Sequence, residues 1–237
     1  MPLSILKIIS KILDGSIVTF KDRQSASELL CSIIRNKFSK IPNNEVLILA
    51  IPRGGIIVGD IIAKKFGYQF NIVIPRRMVA PNNKELSIGG IMKDDTIYCN
   101  TLLIKALKIT DHYLHLEREK QLREIKNREL LLGRQVDGHQ IKDKNIILVD
   151  DGVATGSTLI VTSRWIRKYK PKNLIILTPV CPEPVFKVLK QEANHIESIL
   201  TPSSKNFTTV EMFFQDFEQL DFEKLSKILQ KHKKNIN

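Results

Sequence analysis

Short apolar runs alternate with longer amphipathic stretches through the middle of the chain. Runs of four to eight residues at 46–51, 70–74, 146–149, 174–180 and 196–200 are bounded by turn residues, as buried strands are. Stretches with helical spacing of apolar residues separate several of these runs. This alternation is typical of βαβ units around a parallel sheet. The pattern therefore predicts an α/β fold with a mostly parallel sheet flanked by helices.

The helical stretches have clear ends. Spacing predicts helices at 56–66, 157–169 and 183–192. Gly67 follows the first helix and Pro171 closes the second, as expected of residues that stop helices.

Residues 101–132 stand outside the alternation and form a long, highly charged helical stretch. Glu117, Lys120, Glu124 and Arg128 interleave acids and bases at i, i+3 and i+4 spacing. We expect a solvated helix or helical hairpin that lies over the sheet edge or contributes to a dimer contact.

Both ends of the chain also differ from the middle. Residues 1–13 place Ile and Leu on one helical face, which either packs against the domain or lies on a membrane surface. The basic end at 231–234 is expected to fray.

Composition excludes several classes of protein. The chain has 237 residues, of which 43% are hydrophobic, as in soluble globular proteins. It has neither a run of about 20 apolar residues for a membrane span nor a recognisable signal peptide. Cys31, Cys99 and Cys181 lack the spacing of a disulfide framework or a zinc site, so we expect a reducing, cytoplasmic setting.

The net charge of the chain is unusually positive. The chain carries 37 Lys and Arg against 25 Asp and Glu, a formal charge of +12. Nucleic acid, an anionic membrane surface and a small polyanionic substrate are all compatible partners. No recognised nucleic-acid motif is present, and the excess Lys also fits a merely solvated surface.

The strongest chemical signal is the segment IILVDDGVATGST at 146–158. Its strand would carry Asp150 and Asp151 to the carboxyl end of a parallel sheet, where open α/β folds bind ligands. The loop at 152–158 would then direct amides and hydroxyls to one point at a helix N-terminus, which suits a phosphate. A phosphate beside two carboxylates describes a sugar phosphate.

This segment lacks the Gly-Lys-Ser/Thr of Walker A and the GxGxxG of dinucleotide folds. It resembles the diphosphoribosyl-diphosphate (PRPP) signature of type I phosphoribosyltransferases, with every consensus position filled. The alternative interpretation is an ordinary turn that caps a helix.

Further segments extend the resemblance. The stretch Ala50-Ile51-Pro52-Arg53-Gly54-Gly55 resembles the family's pyrophosphate loop, and Arg76-Arg77 followed by MVAPNNKELSIGGI resembles its mobile catalytic loop, with a short strand at 88–92. Together with FKDR at 20–23, TPV.P and a C-terminal TP…F..V…F.DF, these motifs are most similar to an uncharacterised bacterial group of predicted phosphoribosyltransferases.

The resemblance covers about residues 20–230, in which we expect a single domain. It leaves an N-terminal extension at 1–19 and a basic tail at 231–237. Two positions depart from the group: Val79 replaces a usual Gly, and Lys84 a usual Pro, which puts the flexibility of the loop in doubt.

The resemblance implies a type I phosphoribosyltransferase core with a helical insertion at 101–132 and a small C-terminal hood or cover. It also implies Mg²⁺, PRPP and a small nitrogenous acceptor as ligands, and a homodimer. The implied catalytic residues are Asp150, Asp151, Arg76, Arg77 and Lys84, with Asp150 and Asp151 on the ribose hydroxyls, directly or through Mg²⁺. The implied 5-phosphate site is Ala154, Thr155, Gly156, Ser157 and Thr158, and the implied pyrophosphate site is Arg53, Gly54 and Gly55.

Some assignments stay open at this level. The basic residues, Lys84 above all, could equally form exposed salt bridges. The C-terminal aromatics either stack on an acceptor base or seal the sheet; they are Phe207, Phe213, Phe214 and Phe217.

The expected activity is transfer of 5-phosphoribosyl from PRPP to a nitrogenous base, with nucleobase salvage as the natural setting. A PRPP-sensing regulator that binds nucleic acid through its basic surface is the alternative. A sugar-phosphate hydrolase would need a positioned water and base, for which the sequence offers no candidate.

Overall fold

A computed structural model describes residues 19–133 and 135–234. The predicted N-terminal helix therefore lies outside the described residues. The strands are β1 Val46–Ala50, β2 Gln69–Ile72, β3 Arg76–Ala80, β4 Asn83–Ile91, β5 Ile97–Cys99, β6 Asn145–Val149, β7 Asn173–Val180 and β8 His195–Leu200. The helices are α1 Arg23–Lys37, α2 Gly54–Phe66, α3 Thr101–Ala106, α4 Asp111–Leu132, α5 Ser157–Arg167, α6 Glu183–Glu192 and α7 Phe222–Lys234. Short 3₁₀ turns occupy Asn43–Glu45, Gly138–Gln140, Ser204–Asn206 and Glu211–Phe213.

The central sheet is the predicted parallel one. Its five strands run in the order β2-β1-β6-β7-β8, and every neighbouring pair is parallel. Successive side chains of a strand point to opposite faces, and helices cover both faces here. The central strands are therefore continuous apolar runs, as buried parallel strands are. The fold class predicted from the sequence is confirmed.

Two hydrophobic clusters divide the strands by face. On one face, Ile48, Ile147 and Ile175 belong to the cluster that includes α1, α2, α4 and α7. On the other face, Leu49, Leu148 and residues of the other strands pack with α5 and α6. Trp165 of α5 is 3% exposed within this second cluster, as expected of a core residue.

The segment predicted as a mobile loop is a β-hairpin. β3 and β4 pair antiparallel around a turn at Pro81 and Asn82, and β5 completes a second, three-stranded sheet. Asn82 has φ 62°, a left-handed conformation that Asn tolerates. Both arms of this segment are thus hydrogen-bonded strands, and the short strand expected at 88–92 begins earlier, at Asn83.

The charged segment at 101–132 forms two helices, α3 and α4, and α4 is not simply solvated. Its Glu117, Gln121, Ile125 and Leu132 are buried. Glu117 accepts a hydrogen bond from the backbone N–H of Val79 at 3.1 Å, so α4 packs over the hairpin sheet. Of the expected roles, a merely solvated helix is corrected on this point, because α4 packs over a sheet.

The C-terminal region covers the carboxyl edge of the sheet. Phe213 and Phe214 are buried with Phe20, Val180 and Leu200. α7 then continues to Lys234, so the predicted fraying from residue 231 is not found up to that point. In the described residues no helix is both long enough and apolar enough to cross a membrane.

Candidate active site

The site begins where β1 and β6 end side by side. Ala50 of β1 is in register with Val149 of β6. The backbone N–H of Ile51 donates to the carbonyl of Val149 at 3.0 Å. The segments that follow, the IPRGG loop and the DDGVATGST loop, therefore leave the sheet at one edge. This is the edge at which parallel α/β sheets bind their ligands.

Two glycines allow these segments to touch. A Cβ on Gly54 would lie 1.7 Å from Oδ2 of Asp151, and a Cβ on Gly55 would lie 2.8 Å from the carbonyl oxygen of Val149. Neither position has room for a side chain unless the carboxylate or the strand moves. The structure thus brings Gly54 and Gly55 directly against the two carboxylates. The peptide bond between Pro52 and Arg53 is cis.

Asp151 is held by an arginine that the sequence reasoning left out of the site. Nε of Arg23 donates to Oδ2 of Asp151 at 2.6 Å, and both side chains are nearly buried. Arg23 also donates to the carbonyl of Glu218 at 2.8 Å. Its guanidinium lies 3.7 Å from the centre of the Phe217 ring. These three contacts fix Arg23, and through it one oxygen of Asp151.

Asp150 lies in a different electrostatic environment. Burial raises its pKa well above the usual value, and the adjacent charge of Asp151 raises it further. Its Oδ1 accepts the backbone N–H of Asp151 at 2.9 Å, which favours the ionised form but does not outweigh the other two effects. The two carboxylates together therefore favour a cationic ligand beside them.

The phosphate loop closes on the start of α5. Gly156 precedes the helix with φ 75°, a left-handed conformation that suits glycine. The first amides of α5, those of Ser157 and Thr158, have no acceptor within the helix and are free to bind an anion. The Ser157 hydroxyl lies 3.3 Å from that of Thr155. The loop thus gathers hydroxyls and amides at one point, while Ala154 and Thr155 are exposed.

A serine of the hairpin is a second residue missed from the sequence. The buried Ser87 donates its hydroxyl to Oγ of Ser157 at 3.0 Å. This bond links β4 to the first turn of α5. The hairpin is therefore tied directly to the phosphate loop.

Arg53 and Arg76 point into the same region from different elements. Nη1 of Arg53 donates to the carbonyl of Leu220 at 3.0 Å. Nε of Arg76 donates to Oε1 of Gln121 at 3.0 Å. Burial lowers the pKa of Arg76, and the neighbouring Arg77 lowers it further, although Glu124 and Glu117 act in the opposite direction. Both guanidinia are anchored through one nitrogen, which leaves their other N–H groups for an anion.

Lys84 lies next to the turn of the hairpin, and Arg77 lies nearer its base, opposite Gly90. Arg77 forms a long contact, 3.5 Å, with Glu85 across the turn. Lys84 is exposed and makes no hydrogen bond or ion pair with any described residue. The structure thus does not bring either side chain into contact with the two aspartates.

The aromatic C-terminal segment contributes one contact to the phosphate loop. A Cβ on Gly152 would lie 2.1 Å from Cγ1 of Val210, so the segment packs on the loop. Phe213 and Phe214 are directed into the core, and Phe207 stacks on Phe213 with centroids 5.9 Å apart. This favours the sealing role over base stacking for these three rings.

Magnesium fits the donor set in this cleft. No group of three or more His, Cys, Asp or Glu within residues 19–133 and 135–234 forms a complete protein cage for a metal. Mg²⁺ usually takes one or two carboxylates and completes its shell with water and substrate phosphate oxygens. The adjacent carboxylates of Asp150 and Asp151 match this pattern.

The site residues that the sequence did not reveal were missed for one reason: their contacts join distant parts of the chain. Arg23 lies 128 residues from Asp151 in the chain, so no spacing rule connects the two. The only available signal was the FKDR stretch at 20–23, which the family resemblance includes. Ser87, Gln121 and Glu117 carried no such signal, because their roles depend on how the hairpin packs against α4 and α5.

Curated relatives of this chain occur in Mycobacterium tuberculosis. Two Mycobacterium tuberculosis sequences, from strains CDC 1551 and H37Rv, carry provisional names as phosphoribosyl transferases. Each is 24% identical over 200 residues, which are 84% of this chain but 44% of the relative. The chain therefore spans less than half the length of these curated relatives.

A solved structure shares the fold over nearly its full length. The crystal structure of TT1426 from Thermus thermophilus superposes with a TM-score of 0.69 at 23% identity, covering 90% of this chain and 99% of that one. The phosphoribosyl transferase domain model matches residues 19–192, which include both glycine-rich loops, the hairpin and the two aspartates. On this match, the chain belongs to the phosphoribosyl transferase domain family.

Proposed function

We propose that this protein catalyses Mg²⁺-dependent transfer of the 5-phosphoribosyl group from PRPP to a small nitrogenous acceptor, releasing pyrophosphate. One observation carries the proposal: three different anion or hydroxyl sites meet at one sheet edge. They are the α5 phosphate loop, the Asp150–Asp151 pair and the arginine-flanked IPRGG loop. PRPP has a 5-phosphate, ribose hydroxyls and a pyrophosphate in the corresponding order.

The reaction sets clear demands on these groups. The bond between C1 of the ribose and a pyrophosphate oxygen breaks, and the oxygen keeps the electron pair. A bond forms between C1 and the acceptor nitrogen, which gives up its proton to solvent. Positive charge develops on the ribose ring and negative charge on the leaving group, so preorganised charges of opposite sign stabilise the transition state.

The chain's own residues match both demands. Asp150 and Asp151 bind the ribose hydroxyls and stabilise the positive ring. Ala154 to Thr158 hold the 5-phosphate through backbone amides and hydroxyls. Arg53, Arg76 and the amides of Gly54 and Gly55 hold the pyrophosphate. Mg²⁺, bound by the two carboxylates and substrate oxygens, would neutralise charge on the leaving group.

Lys84 acts only if the tip of the hairpin moves, and Arg77 only if its side chain rotates. We propose that the tip of the β3–β4 hairpin, on the turn side of Ser87, closes over bound PRPP, bringing Lys84 to the pyrophosphate and excluding water. Arg77, which pairs with Gly90 on the other side of Ser87, reaches the pyrophosphate by rotation of its side chain. The Ser87–Ser157 hydrogen bond, which joins the middle of β4 to the phosphate loop, is the fixed point of this motion.

Other features of the proposal concern the whole protein. We propose a single catalytic domain at 20–230 with an extension at 1–19 and a basic tail at 231–237. A homodimer in the cytoplasm, acting in nucleobase salvage, is the setting that the family resemblance supports. The acceptor is left as a nitrogenous base of unassigned identity.

The direct test is pyrophosphate release from PRPP and Mg²⁺ with a panel of nucleobases. We expect base-dependent release by the wild-type protein and none by the Asp150→Asn, Asp151→Asn double variant. Asp111→Asn, an exposed substitution at the start of α4, serves as the matched control and should retain full activity.

The same experiment separates catalysis from sensing. If PRPP binds but no base gives turnover, and RNA binds in a salt-sensitive manner, the regulator hypothesis replaces this one. Retained turnover in the double Asp variant would instead show that the ribose site lies elsewhere.

A further inference from the structure

An arginine of the helical insertion lies at the edge of the proposed cleft. Arg128 is near the C-terminal end of α4 and is half-buried. Its guanidinium lies 5.9 Å from the centre of the Phe222 ring, at the start of α7. Within the part of the chain that the structure describes, Arg128 forms no hydrogen bond and no ion pair. A half-buried guanidinium without a protein acceptor keeps its five N–H donors for solvent or for a ligand.

Two further arginines contact α4 and the segment that leads into α7. Arg76 donates to Gln121, two turns before Arg128 in α4, and Arg53 donates to Leu220, two residues before Phe222. Burial lowers the pKa of Arg128 to about 10, and the positive charges of Arg76 and Arg53 contribute to this, while Glu124 opposes them. Arg128 is still charged at neutral pH. Three guanidinia from α4, β3 and the IPRGG loop therefore repel one another, and Glu124 offsets this repulsion only in part.

The position of this cluster points to a polyanion. Arg53 directly precedes Gly54, which packs against Asp151, so the cluster adjoins the proposed ribose site. Arg53 and Arg76 are each anchored through one nitrogen, to Leu220 and Gln121. Arg128 has no such anchor, and its whole fork is available for a phosphate, which guanidinium groups bind in bidentate fashion.

We propose that Arg128 is a pyrophosphate-binding residue: with Arg53 and Arg76 it binds the diphosphate group of PRPP and the released pyrophosphate. The helical insertion thereby forms one wall of the active site. This inference rests on the proposed function for the identity of the substrate. The contact with Phe222 orients the guanidinium and links α4 to α7.

Calorimetric titration with inorganic pyrophosphate in the presence of Mg²⁺ tests the proposal without any acceptor. We expect Arg128→Ala to weaken pyrophosphate binding at least tenfold, and Arg128→Lys to weaken it less, because the charge remains but the fork is lost. Arg123→Ala, an exposed arginine on the same helix, should bind pyrophosphate like the wild type. The affinity for ribose 5-phosphate should be the same in all four proteins.

Phe222→Leu separates binding from packing. It removes the ring on which Arg128 rests but keeps the guanidinium, so pyrophosphate binding should persist within about threefold. If Arg128→Ala does not fold, Arg128→Lys and Phe222→Leu still decide the question. An unchanged pyrophosphate affinity in Arg128→Lys and Arg128→Ala would overturn the role of Arg128 and leave the proposed transferase standing. A wild-type protein that binds neither pyrophosphate nor PRPP would overturn both proposals.

Discussion

Two adjacent carboxylates dominate the chemistry of the cleft at the scale of single residues. Arg23 neutralises one oxygen of Asp151, while Asp150 has no cation of its own in contact among the described residues. This pair favours positive charge nearby, which a ribose ring with a departing pyrophosphate and a magnesium ion would provide. The free protein must tolerate this arrangement at some cost in stability.

Because two adjacent carboxylates cost the free protein stability, replacing one of them in Asp150→Asn should stabilise the fold. The asparagine side chain keeps a carbonyl oxygen for the backbone N–H of Asp151 and gains an N–H for the Asp151 carboxylate. The variant should therefore melt at a higher temperature than the wild type at pH 7 while losing turnover.

The pH dependence has a defined sign. Because the pKa of Asp150 is raised in the folded protein, folding takes up a proton, and wild-type stability falls as pH rises from about 4 toward the folded-state pKa. Asp150→Asn has no ionisable side chain at this position. The difference in Tm, followed by calorimetry from pH 4 to pH 8, should grow with pH; a constant difference would count against the charge argument.

Gly54 tests the contact between the two loops. An alanine methyl would overlap Oδ2 of Asp151, which must move and lose its 2.6 Å contact with Arg23. We expect Gly54→Ala to weaken PRPP binding by about tenfold or more, equivalent to about 1.4 kcal/mol, with about 1–3 kcal/mol lost from folding stability.

The matched control lies at the other end of the same helix. Gly67 ends α2 with φ 69°, and nothing lies within 4 Å of the position that a Cβ would take there. Gly67→Asn suits this left-handed position and should leave PRPP affinity, measured by calorimetry, unchanged. Equal affinity in both variants would mean that Asp151 does not hold the ribose.

At the scale of elements, local patterns were sufficient for the parallel core and insufficient for the parts that pack over it. The DDGVATGST loop could be interpreted from the sequence because strand, turn and helix start within thirteen adjacent positions at 146–158. The β3–β4 hairpin was not recognised because its outer residues, 83–85, are polar and exposed. Burial of Glu117 likewise depends on the Val79 amide of another element.

The C-terminal helix was also missed, and one polar cluster holds it in place. Nε2 of His232 lies 2.6 Å from Oδ1 of the buried Asp60, and Lys64 contacts the other oxygen at 2.8 Å. The His232 ring also packs on Phe70, with centroids 4.4 Å apart. α7 thus packs against α2, the helix that directly follows Arg53.

Removing this attachment should destabilise the fold in a pH-dependent way. Burial acts to raise the pKa of Asp60, but the hydrogen bonds from His232 and Lys64 outweigh it, so the pKa is lowered. The contribution is therefore present above about pH 4 and is lost as pH falls through the folded-state pKa. His232→Ala should cost about 1–3 kcal/mol at pH 6, since it leaves a buried acceptor without one partner.

Chemical denaturation at pH 6 and pH 3 measures this effect. The difference between His232→Ala and the wild type should shrink at the lower pH. Lys231→Ala, an exposed neighbour on the same helix, should match the wild type at both. A deficit in His232→Ala that does not change with pH would assign the effect to the Phe70 contact alone.

At the scale of the whole molecule, the cations behind the +12 net charge fall into two groups. Many of the cations pair with acids across the surface. Examples are Lys37 with Glu197, Lys172 with Glu45, Arg118 with Asp95 and Arg164 with Glu192. A smaller group, Arg53, Arg76 and Arg128, lies near the site without an ion pair to any described residue, although Glu124 is close to two of them. Convergent charge of this kind favours a small polyanion over a long nucleic acid.

Ligand-linked stability tests that preference on the intact protein. A ligand at 100 times its Kd adds about 2.7 kcal/mol to the free energy of unfolding. For a chain of this size each kcal/mol raises Tm by about 2–4 °C, so PRPP with Mg²⁺ should raise Tm by about 5–10 °C. Sulfate at equal ionic strength should give a much smaller shift, and the Asp150→Asn, Asp151→Asn double variant should show little response to PRPP. If RNA stabilises the protein as strongly as PRPP does, and equally in the double variant, the basic surface rather than the cleft is the principal binding site.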